Sequence, residues 1–298
     1  HEHIIILVDH FSVNRIFRKV SNSVIKKNWI KNNAIFCDSV NSRKLVIDTD
    51  GEADDSAAIL LTLSTFAQKV SDHEVVGITC VYGNTYENNV EINILKTLTV
   101  ANSTHVSSSL EKFVYTDYFG KNGFSDFEFK GKINGHVERS TDAASALVNM
   151  AKNYSGKLDI LALGPLTNIA TASLQDKNFL KNVHRLYIMG GNIRSNGRHF
   201  RPTFNFESDP ESTYIVFNTS SSETPYLLYP GQTDFVANIS KEWRIRELGS
   251  IKSRFVQFLN KAEKKSLSYK DKIWRGGDVI TAAVMLWPNK FTFNKCDA

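Results

Sequence analysis

Between residues 45 and 61 the chain runs from Leu45-Val46-Ile47, through Asp48-Thr49-Asp50-Gly51-Glu52-Ala53-Asp54-Asp55, into Ala57-Ala58-Ile59-Leu60-Leu61. An apolar run, a tight polar turn and a series of good helix formers read as a strand feeding a loop feeding a helix. Four aspartates at a strand tip repel one another unless something positive neutralises them. A hard cation with oxygen ligands, Ca²⁺ or Mg²⁺, is the natural partner. The segment therefore predicts a βα unit with a metal at the carboxyl end of its strand.

Further apolar runs at 75–81, 158–163, 186–189 and 226–229 read as strands. Between and after them, 54–69, 88–101, 141–153, 166–174, 210–217, 245–264 and 278–286 read as helices. Apolar strands alternating with helices predict an α/β fold, a mostly parallel central sheet with helices on both faces in a Rossmann-like arrangement. Ligands in such sheets bind beyond the carboxyl ends of the strands. The polar residues gather there: Asp50, Asp54 and Asp55; Gly83-Asn84; Gly164 to Asn168; Gly190-Gly191-Asn192; later Asn205 and Asp278. Acids and amides with few cations suit a metal and a hydroxyl-rich ligand such as a sugar. No GxxxxGK[ST] or GxGxxG phosphate loop occurs. The stretch 115–137 has no clear period and reads as a long loop of the kind that often covers an active site.

The formal charge of +5 belongs to the N-terminus. Residues 1–44 carry eight Lys/Arg against three Asp/Glu, and the remainder is balanced. The core thus offers no basic face to nucleic acid. Residues 1–43 read as a basic extension, either disordered or an amphipathic helix through Val13, Ile16, Phe17, Val20 and Val24. Residues 44–298 read as one domain. No apolar stretch reaches membrane-spanning length. Cys37, Cys80 and Cys296 form no CxxC pair, which argues against structural zinc and a disulfide framework. Sequons at Asn102, Asn153, Asn218 and Asn238 lean toward an extracellular compartment, with the cytoplasm as the alternative. A homo-oligomer stays open.

Two other readings of the acidic loop fail. An EF-hand counted from Asp48 wants Gly at Ala53 and Glu at Ile59. A dehalogenase-type phosphatase accepts Asp48 and Asp50 but not Glu52, and leaves Asp54-Asp55 unexplained.

An apolar strand followed by DxDxxxDD resembles the signature of the inosine–uridine-preferring nucleoside hydrolases. Val81-Tyr82-Gly83-Asn84, Ala162 to Ala170 (ALGPLTNIA), Met189-Gly190-Gly191-Asn192, Phe204-Asn205-Phe206 with Asp209-Pro210-Glu211, and Gly277 to Ala283 (GDVITAA) follow in the family's order. The resemblance implies hydrolysis of the N-glycosidic bond of ribonucleosides through an oxocarbenium-like transition state. It implies Ca²⁺ held by Asp50, Asp55, the carbonyl of Leu163 and Asp278, with Asp50 also the base for water. Asp54, Asn84 and, from the opposite side, Asn205 would grip ribose, and Asp48 would orient the loop. Asn168 and Asp209 sit where helices begin and read as structural. His105, His136, His184 and His199 have no ligand spacing.

The chain departs from that family in three places. Thr203 stands where a ribose-gripping Glu is usual, and Glu207 is the nearest replacement. Gly277 stands where His or Trp assists the leaving base; Trp274 is the nearest stacking candidate, so purine nucleosides are favoured. Only twenty residues follow Asp278, so the domain reads as incomplete at its C-terminus, with the sheet edge bare. The alternative function is a catalytically weak nucleoside- or ribose-binding homologue.

Overall fold

The structure, a computed structural model, describes residues 3–7, 42–103, 105–107, 116–192, 202–219, 226–291 and 293–297. Its strands are β1 (His3–Leu7), β2 (Arg43–Thr49), β3 (His73–Cys80), β4 (His105–Ser107), β5 (His136–Glu138), β6 (Leu158–Ala162), β7 (Val183–Met189), β8 (Tyr226–Tyr229) and β9 (Phe293–Asp297). They form one sheet in the order β5-β4-β3-β2-β6-β7-β8-β1-β9. Every neighbouring pair is parallel except β1 and β9. The chain order reverses at β2, which lies between β3 and β6, and that switch point opens a crevice at the strands' carboxyl ends.

The helices are α1 (Ala53–Ala67), α2 (Glu87–Ala101), α3 (Ala143–Asn153), α4 (Thr167–Gln175), α5 (Phe179–Asn182), α6 (Phe204–Ser208), α7 (Pro210–Thr219), α8 (Thr233–Ala237), α9 (Lys241–Trp243), α10 (Arg254–Ala262), α11 (Lys264–Ser268) and α12 (Gly277–Leu286). Strand pleating sorts the core into two layers. Leu45 and Ile47 join a cluster with α1, α2, α10 and α12; Val46 joins α3, α4, α5 and Val216 of α7 on the other face. Both faces of β2, β6 and β8 are thereby covered, which is why Leu45-Val46-Ile47, Ile160-Leu161-Ala162 and Leu227-Leu228 form unbroken apolar runs in them.

Four strands lie outside the five read from the sequence. β4 and β5 have three residues each, too few to show a period. β1 falls inside the expected basic extension, and its Ile4-Ile5-Ile6 pairs in parallel with Tyr226-Leu227-Leu228. β9 pairs antiparallel with β1, so the edge beyond β8 is not bare. The candidate amphipathic segment from Val13 to Val24 lies outside the described residues. The helix expected over 245–264 is broken. A π-helical turn, Arg244–Leu248, ends at Gly249, and Ser253 restarts the chain as α10 by accepting from the Phe255 N–H at 3.2 Å. No described helix is long and apolar enough to cross a membrane.

A candidate metal and sugar site

The loop between β2 and α1 buries its acids instead of displaying them. Asp48 and Asp55 are fully buried, and Asp50 and Glu52 nearly so. Asp48 accepts from the Thr79 hydroxyl at 2.6 Å and from the Asn168 amide at 2.7 Å. Asn168 also donates to the Cys80 carbonyl at 2.9 Å, so this pair ties β2, β3 and α4 together. Asp55 accepts from the Thr49 hydroxyl and from the Glu52 N–H, closing the first turn of α1. Asp278, in the first turn of α12, brings its carboxylate up to those of Asp54 and Asp55.

Three carboxylate oxygens of this loop, Oδ2 of Asp48, Oδ2 of Asp50 and Oδ1 of Asp54, are buried with no hydrogen-bond partner among the described residues. Burial, then the charges of Glu52, Asp55 and Asp54, pushes the Asp50 carboxyl well above the usual carboxylate range. Burial and Asp55 do the same for Asp54; burial, Asp54, Asp55 and Asp50 do it for Asp278. Burial lifts Asp48 to about 6 against its two hydrogen bonds. An isolated buried carboxylate is too costly to persist unpaired. Oxygens of Asp54, Asp55 and Asp278 lie within 4.8 Å of one another, as do those of Asp50, Glu52 and Asp55. An all-oxygen donor set with orphaned buried oxygens fits a hard divalent cation. The Leu163 carbonyl accepts from Asn205 Nδ2 at 2.6 Å, which leaves it a second lone pair.

The remaining expected residues divide. Asn205 lies at the mouth of β7, and its Nδ2 also donates to the Met189 carbonyl at 3.0 Å, so its amide ties the ends of β6 and β7 together. Asn84 is held at both ends of its amide. Nδ2 donates to Glu52 Oε2 at 2.7 Å, and Oδ1 accepts from the Thr116 hydroxyl. Thr203 accepts from the Gly191 N–H at 2.8 Å and is spent on loop structure; Glu207 is exposed and does not stand in for it. Asp209 is the cap of α7, accepting from the Ser212 N–H at 3.0 Å.

Trp274 is a correction. Its ring is 4% exposed, packs against Trp243 and the Arg244 guanidinium, and donates from Nε1 to Glu263 at 3.1 Å. A buried Trp with its N–H on Glu263 and its ring beside Arg244 and Trp243 is part of the core and not a stacking platform for a base. Tyr118, in the long loop before β5, is stacked on Tyr269 at 5.3 Å with planes 3° apart, and feels the Asp54 charge. Burial and then the Asp54 charge raise its phenol. The long loop read at 115–137 was the signal for it, but no motif singled out the residue. A side chain at Gly277 would meet the Met189 methyl, which lies 2.4 Å from the position of its Cβ. Met189 therefore fills the space of the usual His or Trp. His184 lies at the opposite end of the sheet, paired with Asp159 at 2.6 Å.

These shifts set a pH dependence. A carboxyl whose folded value is raised adds stability below its unfolded value, and that stability is lost as pH rises through the folded value. Cation-free protein should therefore melt progressively lower from about pH 4 to pH 7 as Asp48 and its neighbours ionise. Added Ca²⁺ should recover the loss above pH 6, and less at pH 4. Thermal melts in chelator and in Ca²⁺ check this. A melting point that rises with pH in chelator would contradict it.

The family model described as inosine-uridine preferring nucleoside hydrolase matches residues 45–298. Among curated relatives, a probable uridine nucleosidase 2 of Arabidopsis thaliana is 33% identical over 187 residues, covering 59% of this chain and 56% of the relative. Uridine nucleosidase 1 of the same plant is 34% identical over 192 residues, covering 61% and 55%. The inosine-uridine preferring nucleoside hydrolase of Crithidia fasciculata is 26% identical over 187 residues, covering 60% and 58%. The chain thus spans little more than half the length of these relatives. Two solved structures, a plant nucleoside hydrolase and an inosine-guanosine nucleoside hydrolase, superpose with TM-score 0.71 at 24% identity. They cover 84% and 83% of this chain and 80% and 79% of theirs.

Proposed function

Since the chain belongs to the inosine–uridine-preferring nucleoside hydrolase family, we propose that it hydrolyses ribonucleosides to ribose and free base, with Ca²⁺ bound among the acids of the β2–α1 loop and Asp278. The observation that carries this reading is the pair of orphaned buried oxygens on Asp50 and Asp54. No described residue satisfies them, which supports an ion and a sugar hydroxyl as their partners.

Asp50, Asp55, Asp278 and the Leu163 carbonyl would hold the ion. When bound, Ca²⁺ acidifies a water and lets the clustered carboxylates ionise together. Asp50 takes the proton from the attacking water; its free Oδ2 is the acceptor. Asp54 Oδ1 accepts from a ribose hydroxyl, and Asn205 Oδ1 accepts from the sugar's other side. Asn84 completes the grip. A site built on such bonds rejects a sugar lacking the hydroxyl. The buried negative charge of Asp50 and Asp54 also favours the cationic ribosyl transition state.

Gly277 and Met189 offer a departing base no proton donor, and Tyr118, whose phenol burial and the Asp54 charge hold up, is a poor one. Leaving-group protonation is thus weak at this position, which favours purines over the poorer pyrimidine leaving groups. Reducing-sugar release from inosine, adenosine and uridine, with and without chelator, tests the whole reading. No ribose release from any of them at micromolar enzyme would sink it. Faster turnover of uridine than of inosine would overturn the purine preference alone.

Gly277 gives a sharper handle. Gly277→His alone should destabilise, because an imidazole there must push the Met189 methyl, 2.4 Å from the Cβ position, out of its place and repack it elsewhere. With Met189→Ala the imidazole has room, and uridine turnover should rise by about tenfold or more. Steady-state rates on uridine against the activated p-nitrophenyl riboside check this, since only uridine needs the added acid. The second reading, a weak or inactive binder, rests on Thr203 being spent on the Gly191 N–H. It is favoured if nucleosides bind calorimetrically without turnover.

A further inference from the structure

Glu52 is a buried carboxylate, 3% exposed, for which the proposed chemistry has no use. It stands between Asp50 and Asp54, where another negative charge is costly. Burial and then Asp55 and Asp54 hold its own carboxyl well above the usual range. A residue kept there against such opposition has a compensating contact. Both of its oxygens point at one partner. The Asn84 N–H donates to Oε1 at 2.9 Å, and Asn84 Nδ2 donates to Oε2 at 2.7 Å. This two-point grip fixes the Asn84 backbone and its side-chain torsions together.

The grip is part of a wider stitching of three loops. The Thr116 hydroxyl donates to Asn84 Oδ1 from the long loop. Asn93 on α2 donates to the Gly51 carbonyl at 3.1 Å and to the Asn122 carbonyl at 2.6 Å. The Thr85 hydroxyl donates to the Lys121 carbonyl at 2.8 Å. The acidic loop, the loop after β3 and the loop at 116–124 are thus held in one register, with Asn84 at their meeting point. Across the site, Thr203 offers the sugar no charged acceptor.

We propose that Glu52 is a positioning residue for sugar recognition: it sets the Asn84 amide in the orientation that receives a ribose hydroxyl, without itself ligating the cation. The inference rests on the ribonucleoside reading of the site. A pre-set amide binds without the cost of freezing its rotamer, so losing the brace weakens ground-state and transition-state binding alike. KM is the parameter that should move.

Glu52→Gln keeps the shape but can satisfy only one of the two Asn84 donors through its carbonyl. KM for inosine should rise about tenfold, with a far smaller fall in kcat, and discrimination against 2′-deoxyinosine should narrow. Adding Asn84→Ala to Glu52→Gln should cost nothing beyond Asn84→Ala alone, because Glu52 acts through Asn84. Thr116→Val should move KM in the same direction by less. Ca²⁺ affinity, titrated calorimetrically on the same proteins, should stay within about twofold of wild type. Losses that add in the double variant, or Ca²⁺ affinity that collapses in Glu52→Gln, would overturn the positioning role, the latter making Glu52 a ligand. Wild-type turnover and nucleoside binding, measured alongside, report separately on the ribonucleoside reading. If wild type binds without turning over, the same comparisons are read from nucleoside Kd.

Discussion

Asp50→Asn will abolish turnover and stabilise the cation-free protein at once. The side chain keeps its size, so the loop keeps its packing, but the amide can neither take a proton from water nor offer an anionic ligand. Loss of a positioned base alone is worth about a hundred- to ten-thousandfold in rate, and the cation's contribution is lost with it. Stability moves the other way. Asp50 shares its surroundings with Glu52, Asp55 and Asp54, all of which disfavour its charge. Removing one member relieves the others near neutral pH, so the melting point in chelator should rise. In saturating Ca²⁺ it should fall below wild type, because the variant binds the ion weakly. Ribose release, calcium titration and paired melts give three independent readings. Unchanged turnover would mean that both the assigned base and the assigned ligand are wrong. A melting point in chelator that drops as for an ordinary core substitution would mean that the cluster carries no stored repulsion.

The readability of this chain follows from how local each signal is. β2 and α1 are legible because strand, turn and helix lie within some twenty residues. The four aspartates can be seen as a cluster before any long-range contact is known. The sheet's parallel centre is legible for a similar reason: buried on both faces, its strands carry unbroken apolar runs of two to four residues. β1 and β9 are not legible, since each is a short run made a strand only by a partner hundreds of residues away. Trp274 misled because proximity in sequence to Asp278 suggested a common pocket. The residue instead turns toward α10 and binds Glu263. Met189 and Tyr118 were missed because their roles are defined by what stands opposite them, Gly277 and Asp54, and sequence carries no record of opposition. Glu52 serves in the sequence only to reject a phosphatase motif. Its geometry, two bonds to one Asn on another loop, exists only after folding.

Gly83→Ala tests whether the loops after β2, β3 and β6 form one mould around Asp50. A Cβ at residue 83 would stand 1.8 Å from Asp50 Oδ2 and 2.5 Å from its Cβ and Cγ. Asp50 has no room to withdraw. On its other side a Cβ at Gly164 would stand 3.0 Å from the Asp50 N and 3.1 Å from its Cβ, so that glycine too is already pressed against it. The side chain is short and cannot swing away as a Met or Lys would. The added methyl must therefore turn the carboxylate out of the cluster or push the β3 loop outward, taking Asn84 with it. Either way the ligand and the sugar grip are damaged together. We expect kcat to fall by about a hundredfold or more and Ca²⁺ affinity to drop with it, for an overpacking cost of only about 1–3 kcal/mol in stability. Gly77→Ala supplies the comparison. Its added methyl would meet the Met150 sulfur at 2.9 Å, the end of a flexible side chain on the far layer. That variant should lose some stability and keep its affinity for Ca²⁺. If Gly83→Ala retained wild-type Ca²⁺ binding and turnover, Asp50 would not be the ligand that the mould around it implies.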